Sequence, residues 1–186
     1  MVTGNEEIRP SATPYDPSLG TAIEVQSPCA VPANQSRAWS IVAAAADADA
    51  VVMAAAPADF RPTKVSDTKI KKAGDGSAPT IELEQNPDIL AGISHDRPRP
   101  DAVIVGFAAE TGDDTGSVLE LGRAKLERKG CDLLVVNDVG GGRVFGEADN
   151  QAVILGRDGT AVDVPRASKV AVAHAIWDQV VRLLDH

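Results

Sequence analysis

Residues 102 to 137 read AVIVGFAAETGDDTGSVLELGRAKLERKGCDLLVVN, two continuous apolar runs on either side of a segment with helical spacing. The runs Ala102 to Phe107 and Asp132 to Asn137 lack the polar alternation of a half-wet strand, so they predict strands covered on both faces. Between them, Val118, Leu119, Leu121 and Leu126 recur at near-helical spacing within Thr115 to Lys129, and Gly130 follows as a natural C-terminal stop. Strand, helix and strand in that order predict a βαβ crossover and a parallel sheet.

The same reading extends outward. Val51 to Ala55 predicts a further buried strand, and the alternating Ile23 and Val25 predict a short one within Thr21 to Gln26, with a helix to follow through Ser40 to Asp47. Pro79 to Leu83 reads as a strand whose partner lies in or near the lysine-rich segment before it, and Asn86 with Pro87 reads as a cap and first turn of a helix. Gly156-Arg157-Asp158-Gly159 marks a hairpin between Gln151–Leu155 and Ala161–Val164. A closing helix over about Ala167 to Leu184 has Val170, Ala173, Ile176, Val180 and Leu184 on one stripe. The expected fold is α/β, a mostly parallel sheet with helices on both faces plus a small β flap or hairpin region. Residues 1–40 hold five prolines (Pro10, Pro14, Pro17, Pro28 and Pro32) and read as a divergent, loosely ordered segment ahead of one domain over 41–186.

At 186 residues the chain has room for one α/β domain with a substantial core. Eighteen Lys and Arg against 27 Asp and Glu give a net charge of −9, which argues against general nucleic-acid binding through phosphate neutralisation. An anionic ligand therefore needs a local basic pocket. Cys29 and Cys131 are far apart and without metal-ligand spacing, so neither a disulfide framework nor a zinc site is expected, and a reducing cytoplasm fits. No apolar run approaches the roughly 18 residues of a membrane span, and MVTGNEEIRP does not read as a signal peptide.

Several familiar sites are excluded by inspection: the GxxxxGK[ST] phosphate loop, GxGxxG, HExxH and GxSxG. His95, His174 and His186 lack the clustering that a metal or a triad needs. Ala54 to Lys72, AAAPADFRPTKVSDTKIKK, is more informative. It leaves a strand end for a loop and places Asp59 at the carboxyl edge of the sheet, where parallel-sheet proteins bind ligands. Lys69, Lys71 and Lys72 are either a solvated charge run or, with Gly74 and Gly76 behind them, a lid that brings ammonium groups to a triphosphate. Lys125 and Lys129, four apart on the helix and flanked by Arg123 and Arg128, are either an ordinary basic face or a grip on one phosphate chain. Phe107 is either core or a platform for a base or ribose, and the donors at the start of the Asn86–Leu90 helix could meet a base or phosphate. Cys131 reads as a small apolar residue without a nucleophilic role.

The segments AAAPADFRP, KIKK, NPDIL, GFAAET, KLERKGCDLLVVNDV and FGEADNQAVIL occur in an order and spacing that resemble the bacterial phosphopantothenoylcysteine synthetases of coenzyme A biosynthesis, over about residues 48–186. The resemblance implies a Rossmann-like domain acting as a homodimer in the cytoplasm, with CTP and Mg²⁺. It implies ligation of 4′-phosphopantothenate to cysteine through an acyl cytidylate, alongside a flavin-dependent decarboxylase that in this family is often fused and here would be separate. By position it makes Lys69 catalytic, and Met53, Ala54, Ala55, Asp59, Lys69, Pro87, Asp88, Ile89, Leu90, Phe107, Lys125 and Lys129 nucleotide-binding, with no metal ligand assigned. It also gives Lys125 and Lys129 a reason to share a helix face. The family's glycine-rich first turn and Asn-x-Ser-Ser-Gly segment have no counterpart here, since Asn34-Gln35-Ser36 is a poor match.

Overall fold

The computed structural model describes residues 22–24, 41–64, 66, 68–72, 74, 76–97, 99–111, 116–138 and 149–185. Cys29, Asn34-Gln35-Ser36, His186, most of the 1–40 segment and the Phe145–Ala148 part of the resemblance lie outside them. The main sheet contains β1 (Ala22–Glu24), β2 (Ala50–Val52), β5 (Val103–Glu110), β6 (Leu133–Asp138), β7 (Asp149–Gly156) and β8 (Ala161–Ser168), paired in that order. The first four are parallel, and β7 and β8 add on antiparallel. A separate two-stranded arm pairs β3 (Phe60–Pro62) with β4 (Leu83–Gln85). The helical residues are 41–45 (α1), Ile89–His95 (α2), Val118–Lys129 (α3) and Lys169–Leu184 (α4).

The sheet orders its own layers. Crossovers that step along a parallel sheet in one direction, each right-handed, put their helices on one face. That face holds Ala45, Leu90, Ile93 and Leu126 from α1 to α3, packed on Val51, Ile104, Ala108, Leu134 and Val136. The alternate strand residues Val52, Val103, Val105, Leu133, Val135 and Ile154 face the other way, onto Val172, Ile176 and Val180 of α4. Each of β5 and β6 is thus apolar on both sides, which is why their sequence runs show no alternation.

Helix ends are set by side chains. Ser117 caps α3 in a reciprocal box with Glu120, whose carboxylate accepts from the Ser117 backbone N–H at 2.8 Å while the Ser117 Oγ accepts from the Glu120 N–H at 3.3 Å. Gly130 ends α3 at φ 72°, a left-handed conformation that favours glycine, and a Cβ there would meet the His95 ring at 2.9 Å. Gly122 lets α3 lie close on the sheet, since a Cβ would approach Val136 Cγ2 to 2.9 Å and Leu155 Cδ1 to 3.0 Å.

Two local expectations are corrected. The cap of α2 is Asp88, whose Oδ1 accepts from the Ala91 N–H at 3.1 Å, and not Asn86. Asn86 is occupied by the arm: its Nδ2 donates to the Ala58 carbonyl at 2.7 Å and its Oδ1 accepts from Arg61 at 2.8 Å. The strand expected at Pro79–Leu83 begins at Leu83 and runs to Gln85, while its partner, Phe60–Pro62, lies near the lysine-rich segment as expected.

Candidate functional site

The parallel strands point their carboxyl ends toward one edge, where the chain leaves β2 through Met53 to Asp59 and leaves β5 at Glu110. Met53 is buried, its N–H donating to the Val105 carbonyl at 2.9 Å, while Ala54 is exposed and Ala55 half-buried. The floor of the expected nucleotide site is therefore fixed by sheet hydrogen bonding at one end and open at the other. Asp59 is exposed, and its carbonyl accepts from the Asn86 N–H at 2.8 Å, which ties the end of this loop to the start of the Pro87–Leu90 segment. Two segments far apart in sequence, both expected from the sequence to meet the nucleotide, are thereby joined.

Pro87 and Asp88 are exposed, Ile89 is half-buried and Leu90 is core. The polar part of this segment meets α3. Lys129 Nζ pairs with Asp88 Oδ2, and Lys125 Nζ lies 2.6 Å from Glu110 Oε1 at the end of β5. Lysine stems on a helix lean toward its N-terminus, which carries the Lys125 ammonium up to the carboxyl edge. The two lysines share a helix face as their spacing requires, and each is matched to a carboxylate. Burial pushes the Asp88 carboxyl up, but hydrogen bonds from Lys129 and the Ala91 N–H, with the charges of Lys129 and Arg128, outweigh it and hold the group below its ordinary value.

Phe107 lies on the other sheet face, half-buried against the α4 cluster, so it is not beside the lysines. Lys69, Lys71 and Lys72 are exposed on the long connection between β3 and β4. Cys131 is fully buried, and burial pushes its thiol up to about 11, as fits a packing residue. Glu110 had no role in the sequence reading. The signal for it was an acid closing an apolar strand ahead of a basic helix face.

A cleft of about 450 Å³ lies at the opposite, amino edge, lined in part by Arg97, Asp132 and Arg157. Its charges serve the fold. Arg97 donates to both Asp132 oxygens at 2.8 and 2.9 Å and to the Ala102 and Gly130 carbonyls, while Asp132 Oδ2 also accepts from the Ile104 N–H. Among the described residues no three His, Cys, Asp or Glu side chains converge to hold a metal ion, and no helix is long and apolar enough to cross a membrane.

Residues 20–184 match the family model described as DNA/pantothenate metabolism flavoprotein C-terminal domain. The chain is 49% identical over 158 residues to the coenzyme A biosynthesis bifunctional protein CoaBC of Mycobacterium bovis, covering 83% of this chain and 38% of that one. It thus spans well under half the length of the curated relatives it matches. The C-terminal domain of a CoaBC protein, solved as a crystal structure, superposes with a TM-score of 0.63 at 27% identity, over 83% of this chain and 64% of that one. A Cab2 mutant in complex with phosphopantothenate-cysteine shares the fold, with a TM-score of 0.58 at 21% identity over 79% and 49% of the two chains.

Proposed function

Because the chain belongs to the DNA/pantothenate metabolism flavoprotein C-terminal domain family, we propose that it joins 4′-phosphopantothenate to cysteine using CTP, through an acyl cytidylate. The observation that carries this reading is the pairing of Lys125 and Lys129 with Glu110 and Asp88 at the carboxyl edge, next to the Pro87–Leu90 segment, in a chain 49% identical to CoaBC. Met53, Ala54, Ala55 and Asp59 form the floor for the nucleotide, and Pro87, Asp88, Ile89 and Leu90 its wall. Phe107 acts from beneath, on the α4 side, by holding the strand.

The substrate carboxylate is ionised at neutral pH and needs no base to attack the α-phosphorus, with pyrophosphate leaving. Two anions must then approach each other, so the requirement is positive charge. Lys125 and Lys129 supply it from α3 and Lys69 from the β3–β4 connection. Cysteine's amine next attacks the acyl carbon, CMP departs and an amide remains. Mg²⁺ carried in with CTP would share this charge neutralisation with the lysines. The amide product suits a flavin-dependent decarboxylase as the next catalyst, and the reaction is placed in the cytoplasm.

A homodimer belongs to the same reading. A two-stranded ribbon alone is marginal in water, and on and beside this arm Phe60, Ile81 and Leu83 are 58%, 65% and 57% exposed. A second copy of the arm would cover them.

Pyrophosphate release with CTP, 4′-phosphopantothenate and cysteine tests the reading, and release no higher than in Lys69→Gln would overturn it. A nucleotide-binding chain without turnover is the second reading, favoured by the lack of an Asn-x-Ser-Ser-Gly segment. Detecting the acyl cytidylate by mass spectrometry excludes it.

A further inference from the structure

The charge arrangement at the carboxyl edge goes one step beyond the nucleotide reading, and rests on it. The Lys125 ammonium is 28% exposed as a side chain and its partner Glu110 18%, so the pair is half sheltered and 2.6 Å apart. β5 runs as far as Glu110, with Gly106 to Glu110 paired along Leu134 to Asp138 of β6, so the carboxylate is carried on a rigid strand. Lys125 instead hangs on a flexible stem from α3. A lysine bound to one carboxylate offers almost no net charge to an incoming anion, whereas a triphosphate carries several negative charges and can take the ammonium over.

We propose that Glu110 is a positioning residue that holds Lys125 at the carboxyl edge and yields it to a nucleotide phosphate, so that its carboxylate limits how tightly the polyphosphate is held. Lys129 is matched to Asp88, which also caps α2 through its other oxygen. Glu110 is held in place by the backbone pairing of β5 with β6, so its charge can be removed with little damage to the fold.

The test is calorimetric titration of CTP and of inorganic pyrophosphate into the full chain and into Glu110→Gln, Lys125→Gln and the double variant. Glutamine keeps an acceptor for Lys125 and removes the charge. The expected result is tighter binding by Glu110→Gln, by about three- to tenfold, the factor for deleting one negative charge roughly 6 Å from a phosphate in a partly wet site. Lys125→Gln should weaken binding, and in its background the Glu110 gain should vanish. In turnover, Glu110→Gln should lower both KM for CTP and kcat, whereas a purely structural lesion raises KM. Glu110→Asp, which keeps the charge but shortens the reach, should show a smaller gain and serves if the glutamine variant does not fold. Unchanged or weaker binding in a folded Glu110 variant, or a gain that persists without Lys125, overturns the proposal while leaving the nucleotide reading intact. A wild-type chain that binds neither ligand overturns both.

Discussion

Replacing Asp132 with asparagine should cost the protein stability and leave nucleotide binding alone. Asp132 accepts two guanidinium N–H groups of Arg97, at 2.8 and 2.9 Å, and the Ile104 backbone N–H at 2.8 Å. An asparagine offers one acceptor oxygen, so at least one of these donors loses its partner. Removing one partner of a fully buried ion pair costs about 3–5 kcal/mol, and leaving a buried donor unsatisfied costs about 1–3 kcal/mol. Here Arg97 and Asp132 are 18% and 19% exposed, and Arg97 keeps the Ala102 and Gly130 carbonyls, so water and the remaining bonds soften the loss. We expect about 2–3 kcal/mol. In urea unfolding followed by circular dichroism this appears as a lower midpoint with unchanged slope, and at roughly 2–4 °C per kcal/mol as a Tm drop of about 4–12 °C. CTP affinity, measured well below the new Tm, should not change, because the network lies at the amino edge. A loss under about 1 kcal/mol, or a shift in affinity, would refute the assignment of this cluster to the fold. Arg97→Met with Asp132→Leu should lose less than the two single changes added together.

Leu83→Asp should turn a dimer into a monomer in sedimentation without unfolding it, since Leu83 is more than half exposed; an unchanged sedimentation coefficient would rule the arm out as the interface. Asp88 has a carboxyl held below its ordinary value, so it contributes stability that is present above its unfolded pKa of about 3.9 and is lost as pH falls through the lower folded value. Asp88→Asn should therefore be less stable than wild type at pH 7, with a gap that narrows below about pH 4, and a gap that stays constant in urea titrations at both pH values contradicts it. With Cys29→Ser in place, Cys131 should react with a thiol reagent at pH 8 only on unfolding, because its buried thiol is pushed up to about 11. Rapid labelling of the native protein would sink that expectation.

The central strands were legible because burial on both faces leaves one signal, an unbroken apolar run, as in Leu133 to Val136. The hairpin was legible because Gly159 at φ 88° needs a glycine, and Asp158 accepts from the Thr160 N–H to close the turn. The arm was not. Phe60-Arg61-Pro62 carries a charge and a proline, and what pairs it with β4 is Arg61 reaching Glu84 and Asn86, contacts between residues more than twenty apart. The same contacts explain the misplaced helix cap, since Asn86 looked free to cap and was already engaged. For the site, lysine spacing was readable from α3 alone, but the carboxylates that meet those lysines come from β5 and from the start of α2, and their pairing with the lysines is a tertiary contact that no local spacing fixes.

Only Gly130, Cys131 and Asp132 separate the end of α3 from the start of β6. Gly130 is held by its φ, Cys131 by burial and Asp132 by Arg97, so the connection has no slack. A residue inserted or deleted in the last turn of α3 would turn Lys125 through about 100° relative to Lys129 or shift β6 out of register. The β3–β4 connection is under no comparable constraint. Length variation among related chains should therefore gather in that outer connection and spare the junction after α3, which makes the junction a ruler for aligning distant sequences and a poor place to graft a tag.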